Sequence, residues 1–216
     1  MHKLKSKYIK LRKEERLHNA PYPMVGLTGG IASGKTSFSK ELVKLGVPVI
    51  NADELIKNIY QQDQTLEYIK EILPACIQKN QIDFNKLRIE FFNNPQVKQD
   101  IENFLYQRLP IAFLKKCDEL DFSDYSFIVY DIPLLFEKQL SDQFDTTTLI
   151  YAPRNAQLKR LCLRDQIDEK LANSILDQQL DIETKRALAH ITITNIGPIC
   201  ALSEKAHDFL EKICSK

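Results

Sequence analysis

Four of the six glycines in this 216-residue chain lie in one short run, GLTGGIASGKT, which extends from Gly26 to Thr36. The apolar stretch MVGLT opens just before the run and predicts a buried strand, and GKTSFSKELVKLG predicts a helix that ends at Gly46. Glycine permits backbone conformations that other residues avoid, so successive N–H groups can turn toward a single anion. The run therefore predicts a strand, a tight loop and a helix, a unit typical of α/β proteins.

Strands and helices alternate along the rest of the chain. Further strands are predicted by the apolar stretches VPVIN, YSFIVYDI, TTTLIYA and HITITN. Residues 64–121 have almost no strand signal and show helical spacing. We expect an α/β fold with a doubly wound, parallel, five-stranded sheet and a helical insertion over residues 64–121.

The composition excludes several classes of protein. Hydrophobic residues make up 44% and charged residues 27%, as in ordinary globular domains. The longest apolar stretch, FIVYDIPLLF, is interrupted by Asp131 and is too short to cross a bilayer. The five cysteines lie far apart without a C-x-x-C pair, which argues against a zinc site or a disulfide framework and favours a reducing compartment. We expect a cytoplasmic monomer with no membrane partner.

The net charge of +1 is unevenly distributed. Residues 1–23 carry seven Lys or Arg against two Glu, an excess of five positive charges, so the remaining chain carries four net negative charges. A mildly acidic body does not favour a general nucleic-acid-binding surface. We expect residues 1–23 to be a solvated basic extension ahead of a domain over residues 24–216; contact with RNA or an anionic membrane is the alternative.

The segment from Gly29 to Thr36 fits the pattern G-x-x-x-x-G-K-[ST] of phosphate-binding P-loops, in the required place between a strand and a helix. Its backbone N–H groups and the helix N-terminus are predicted to bind ATP phosphates. Lys35 would contact the β- and γ-phosphates, and the Thr36 hydroxyl would bind Mg²⁺. The alternative is a glycine-rich turn that caps a helix. The predicted ATP-binding residues of the loop are Gly29, Gly30, Ile31, Ala32, Ser33, Gly34, Lys35 and Thr36.

The class of P-loop protein is narrowed by what else the chain contains. A GTPase carries N-K-x-D and D-x-x-G elements, and neither string occurs. A small kinase needs a base for the acceptor hydroxyl, a second acidic residue near the metal, and arginines for the transferring phosphoryl group.

Two aspartates meet the first two needs. Asp53, in VINADEL, follows a predicted strand and can take the proton of an attacking hydroxyl. Its alternative role is an N-cap for the next helix. Asp131 ends the strand FIVYD and is predicted to lie near Mg²⁺; its alternative is a turn aspartate.

Arg160 and Arg164 are candidates for the third need. They lie four residues apart on a predicted helix and so share one face. The alternative is a solvated pair of surface charges.

Five segments together resemble the dephospho-CoA kinase family in order and spacing, from Met24 to the C-terminus. They are GLTGGIASGKT, VINADEL, VYDIPLLFE, QLKRLCLRD and ILDQQLDIETKRALAHITITNIG. The resemblance implies ATP-dependent phosphorylation of the ribose 3′-hydroxyl of dephospho-CoA, the last step of coenzyme A synthesis.

The resemblance also implies a role for individual residues. Asp53 would be the base, and Arg160 and Arg164 would lie on a helical lid over residues of about 153–180. Asn195 and Gly197 would lie near the adenine. The helical insertion over residues 64–121 would carry the contacts to the CoA side of the acceptor.

The chain departs from the family pattern at several positions. Asn51 replaces the first aspartate of a D-A-D element, Phe84 an arginine, Leu109 a histidine before proline, and His190 an aspartate. The departures lie on the acceptor side and before the last strand, and they leave the phosphate-binding residues intact. Two alternatives therefore stay open: another small-molecule P-loop kinase, and a catalytically degenerate ATP-binding module.

Overall fold

A computed structural model describes residues 1–197 and 201–215 of the chain. The chain forms two compact units. We call the first, which comprises Met1–Asn51 and Glu119–Lys216, the sheet unit, and the second, Ala52–Asp118, the helical unit.

The sheet unit is built on five parallel strands. They are β2 (Met24–Gly29), β3 (Val49–Asn51), β6 (Ile128–Asp131), β7 (Thr146–Tyr151) and β8 (Ile191–Thr194). Their order across the sheet is β3-β6-β2-β7-β8, and every neighbouring pair is parallel. All residues of β2 and β7 are buried, as expected for central strands covered on both faces. The predicted parallel five-stranded α/β sheet is confirmed.

Helices flank this sheet. They are α1 (Lys35–Lys44), α6 (Arg154–Asp165), α7 (Glu169–Leu176), α8 (Ile182–Leu188) and α9 (Ala201–Ile213). Phe38 of α1 and Phe209 of α9 meet edge to face at 5.7 Å in the main hydrophobic core. Helix α1 stops where the sequence predicts, because Gly46 adopts a φ of 78° that favours glycine.

The helical unit contains α2 (Ala52–Tyr60), α3 (Asp63–Ile72), α4 (Phe84–Asn93) and α5 (Pro95–Asp118). A small antiparallel hairpin, β4 (Ile77–Gln78) and β5 (Gln81–Ile82), lies between α3 and α4. Its turn residues Lys79 and Asn80 both have positive φ, which is typical of a tight hairpin turn. The sequence shows no strand signal here because each strand has only two residues. Among the described residues, no helix is long and apolar enough to span a membrane.

The N-terminal segment differs from the predicted solvated extension. Strand β1 (Lys3–Leu4) pairs antiparallel with β9 (Cys214–Ser215). The Arg16 guanidinium forms an ion pair at 2.7 Å with the buried Asp145 carboxylate, and its own side chain is only 8% exposed. The carboxylate also accepts the backbone N–H of Met24 at 2.8 Å. The expectation of solvation is wrong for Arg16, whose partner lies far away in sequence, whereas most of residues 1–23 are exposed or half-buried.

Candidate functional site

The loop after β2 has the shape that the glycine run predicts. Gly34 has a φ of 96° and precedes the first residue of α1, and a Cβ on it would lie 2.3 Å from the side-chain nitrogen of Asn195. No side chain caps the N-terminus of α1, so its first N–H groups can meet an anion. Ala32, where the P-loop pattern often has glycine, also has a positive φ of 57°. The loop therefore forms a backbone cradle at the start of a helix.

Three carboxamide side chains hold the loop in place. Gln179 Oε1 accepts the N–H of Ile31 at 2.9 Å, and Gln157 Nε2 donates to the carbonyl of Ile31 at 2.9 Å. Asn195 Nδ2 donates to the carbonyl of Ser33 at 2.8 Å. The bond from Asn195 is buried, and the two bonds to Ile31 are partly buried. We call these three side chains the amide brace. They hold the backbone of the loop in one conformation, so its N–H donors are in position before a charged ligand arrives.

The sequence analysis missed the two glutamines of the brace. Both lie in segments quoted for the family resemblance. A polar residue in a helical segment does not, however, reveal from the sequence that it will bond to a loop more than 120 residues away. Asn195 is predicted to lie near adenine. The structure places its side chain on the loop carbonyl, and the adenine role stays a prediction.

The end of strand β6 brings a carboxylate to the cradle. Lys35 Nζ forms an ion pair with the fully buried Asp131 Oδ1. Asn51 Nδ2 donates to the other Asp131 oxygen at 3.5 Å. Where the family pattern has an aspartate, Asn51 thus places an amide donor instead of a second negative charge beside this buried carboxylate.

The predicted metal ligands Thr36 and Asp131 are of the chemical kind that Mg²⁺ binds. Thr36 is exposed in the first turn of α1, next to the Lys35 that contacts Asp131. In the described part of the chain no group of three or more His, Cys, Asp or Glu could hold a metal. Mg²⁺ does not need such a cage, because it binds through one or two protein oxygens together with water and substrate phosphates. A threonine hydroxyl and one carboxylate therefore fit this ion.

The two predicted arginines have different surroundings on α6. Arg160 is partly buried; its Nη2 donates weakly to the carbonyl of Gly197 at 3.4 Å, and its buried Nη1 has no hydrogen-bond partner within residues 1–197 and 201–215. Arg164 is exposed and makes a bidentate pair with Asp165 at 2.6 and 2.8 Å. Hydrogen bonding to Asp165 raises the pKa of the Arg164 guanidinium. Arg160 thus has a spare buried donor, whereas two of the three guanidinium nitrogens of Arg164 already donate to Asp165.

Asp53 belongs to the helical unit. Helix α2 begins at Ala52, so Asp53 lies inside the first turn and is not the residue that caps it. Its carboxylate is exposed. A negative charge is favourable at this end of a helix, because the N-terminal N–H groups carry partial positive charge.

The departures at 190 and 109 also have local explanations. His190 Nδ1 accepts the N–H of Thr147 at 3.1 Å, and its backbone N–H donates to the Thr147 hydroxyl at 3.2 Å. Burial lowers the pKa of the His190 imidazole, which keeps it a neutral acceptor. An aspartate carboxylate could accept the same hydrogen bond from the Thr147 N–H. The histidine therefore preserves the link between strand β7 and the residue that precedes β8. Leu109 is buried in α5, where an apolar side chain needs no partner.

A parallel five-stranded sheet, a braced phosphate cradle and a carboxylate on the neighbouring strand define a P-loop kinase of small molecules. The family model described as dephospho-CoA kinase matches residues 23–200. The chain belongs to the dephospho-CoA kinase family.

Individual relatives agree with this assignment. A dephospho-CoA kinase from Carboxydothermus hydrogenoformans is 34% identical over 196 residues, which cover 88% of this chain and 94% of the relative. One from Streptococcus pyogenes serotype M1 is 34% identical over 190 residues, which cover 87% of this chain and 96% of the relative. Among solved structures, dephospho-CoA kinase from Campylobacter jejuni aligns with a TM-score of 0.64 at 29% identity, covering 88% of this chain and 96% of that one. The crystal structure of TT1252 from Thermus thermophilus aligns with a TM-score of 0.77 at 23% identity, covering 88% of this chain and 98% of that one. This likeness supports the fold.

Proposed function

We propose that the protein transfers the γ-phosphoryl group of ATP to the ribose 3′-hydroxyl of dephospho-CoA, which yields coenzyme A and ADP in the last step of coenzyme A biosynthesis. One observation carries the proposal: the family match over residues 23–200 includes an intact phosphate cradle from Gly29 to Thr36, held by the amide brace.

On the donor side, the backbone N–H groups of the cradle and the N-terminus of α1 bind the ATP phosphates. The Lys35 ammonium, beside Asp131, adds a positive charge for the β- and γ-phosphates. Thr36 and Asp131 would hold Mg²⁺, which supplies further charge neutralisation when bound.

On the acceptor side, the Asp53 carboxylate accepts the proton of the ribose 3′-hydroxyl. The bond from this oxygen to the γ-phosphorus forms as the bond to the β–γ bridging oxygen breaks, and ADP leaves. Arg160 and Arg164 balance the negative charge on the transferred group. A lid over residues of about 153–180 excludes water, which suppresses ATP hydrolysis.

A second candidate is phosphorylation of a different small alcohol. The departures Phe84 and Leu109 favour it, because both lie in the helical unit that is predicted to contact the acceptor. Retention of Lys35, Asp53 and Arg160 counts against the further alternative, a degenerate module that only binds ATP.

The test is an assay of purified protein with ATP, Mg²⁺ and dephospho-CoA, in which mass spectrometry identifies the product. We expect a product heavier by one phosphoryl group on the ribose. A panel of nucleosides and small alcohols serves as the comparison, scored by ADP release. Turnover of another acceptor alone would replace the first proposal by the second, and ATP binding without any turnover would support the degenerate module.

We also infer that the protein acts as a monomer in the cytoplasm, without a nucleic-acid or membrane partner. Light scattering with and without ATP tests the oligomeric state: a single monomeric mass is expected, and a stable dimer would contradict it.

A further inference from the structure

The helical unit contains a groove of about 500 Å³. The end of α2, the start of α3, the hairpin turn and the first residue of α4 form its walls. Carboxamide side chains contribute much of this lining: Gln61, Gln62, Asn80 and Gln81. Carboxamides both donate and accept hydrogen bonds without charge, so this lining suits a neutral, amide-rich ligand.

Two aromatic rings, together with Leu66 and Ile82, form the apolar part of the groove. Tyr60 and Phe84 meet edge to face, with ring centroids 5.4 Å apart. Phe84 is 53% exposed, so part of its ring remains open to a ligand. Burial raises the pKa of the Tyr60 phenol, which therefore stays uncharged.

The charge of the groove excludes a phosphate ligand. Among the described residues that line it there is no Lys, Arg or His, and Asp63 adds a negative charge. Phe84 stands where the family pattern has an arginine, so this chain lacks a cation there. A diphosphate would meet a like charge with no compensating partner.

Helix α2 relates the groove to the proposed base. Asp53 and Tyr60 both lie on α2. Their seven-residue separation is two turns, so they share one side of the helix about 10 Å apart. A ligand whose hydroxyl lies at Asp53 can therefore extend along α2 toward the groove.

We propose that this groove binds the pantetheine arm of the acceptor, an inference that rests on the proposed function. Pantetheine is an uncharged chain with two secondary amides, a hydroxyl, a pair of methyl groups and a terminal thiol. Its amides match the carboxamides of the groove, and its methyl groups pack on the open face of Phe84. Phe84 is thus a specificity residue that acts on the arm and not on the reacting hydroxyl.

The test compares Phe84→Ala with Phe92→Ala, a matched control on the same helix with a 71% exposed ring outside the groove. The cap of α4 survives the first change, because Asp83 accepts the N–H groups of Asn85 and Lys86. We expect Phe84→Ala to raise KM for dephospho-CoA about tenfold while kcat changes little. Phe84→Tyr, which keeps the ring, should stay within about twofold of wild type.

AMP, which lacks the arm, tests which part of the acceptor is bound. As a competitive inhibitor against dephospho-CoA, its inhibition constant should be the same in wild type and Phe84→Ala. An equal rise for both ligands would place the adenosine half in the groove and overturn the proposal, and so would an unchanged KM for dephospho-CoA. Failure of the wild type itself to phosphorylate dephospho-CoA would instead overturn the proposed function.

Discussion

The sheet unit and the helical unit differ in how completely they bury and pair their side chains. In the sheet unit, every residue of β2 and β7 is buried, and the cradle is held by three carboxamide hydrogen bonds. In the described part of the chain, the exposed large aromatic side chains, Phe84, Phe92 and Tyr106, all lie in the helical unit. The first unit is organised around a fixed backbone shape, and the second leaves aromatic rings open.

This difference follows from the two ligands that we propose. Phosphate groups need several N–H donors at defined positions, and a loop that reorganises during the reaction would lose this stabilisation. In our proposal the arm of the acceptor is recognised through its shape and neutral amides, which different residues can satisfy. Of the four departures from the family pattern, Phe84 and Leu109 lie in the helical unit and Asn51 and His190 lie in the sheet unit, and none of them changes a residue of the cradle.

The largest effect is expected for Lys35→Ala. Loss of this charge should reduce turnover about 10³-fold and weaken ATP binding. It also leaves the buried Asp131 carboxylate without its cation, which should cost about 3–5 kcal/mol of unfolding free energy. Steady-state kinetics and denaturant unfolding measure the two effects.

The double variant Lys35→Ala/Asp131→Asn separates the two effects. It replaces the buried Asp131 carboxylate, which lost its cation, by a neutral amide, so it should recover most of the lost stability while remaining inactive. Full activity in either variant would discredit the assignment of the phosphate site.

Asp53→Asn tests the proposed base, which belongs to the helical unit. We expect turnover to fall about 10²–10⁴-fold, because the acceptor hydroxyl loses its base. The dissociation constant of ATP, measured by calorimetry, should stay nearly unchanged. Glu54→Gln is the control, since it removes the neighbouring carboxylate of the same helical turn. Normal turnover in Asp53→Asn would show that this aspartate has only a structural role.

Gln179→Leu tests the amide brace. The substitution removes the acceptor of the Ile31 N–H and should weaken ATP binding about tenfold, equivalent to about 1.4 kcal/mol. The exposed neighbour Gln178→Leu is the matched control and should leave ATP affinity unchanged. Equal ATP affinities in the two variants would contradict the claim that the brace pre-organises the cradle.

The smallest effect is expected for Ala32→Gly. Glycine relieves the positive φ of 57°, which costs alanine about 1–2 kcal/mol, but it also loses about 0.5–1 kcal/mol of chain entropy. A net gain of about 0.5 kcal/mol in unfolding free energy is expected. Ala187→Gly, at the exposed C-terminal end of α8, should instead lose up to about 1 kcal/mol. Equal losses for both substitutions in chemical denaturation would show that Ala32 is not strained.

Much of the sheet unit could be predicted because its signals are local. The apolar stretch of β2, the glycine run and the helix ending at Gly46 each follow from neighbouring residues. The hairpin β4–β5 could not be predicted, since two-residue strands have no periodicity.

The sequence by itself determined the parallel α/β sheet and the presence of a phosphate-binding loop, because backbone geometry and hydrophobic periodicity are properties of contiguous residues. Only the tertiary structure decided that Gln157 and Gln179 hold the loop and that Arg16 is buried against Asp145. These are pairings of polar groups far apart in sequence, and each exists only because the fold brings the two partners together in a buried or partly buried place.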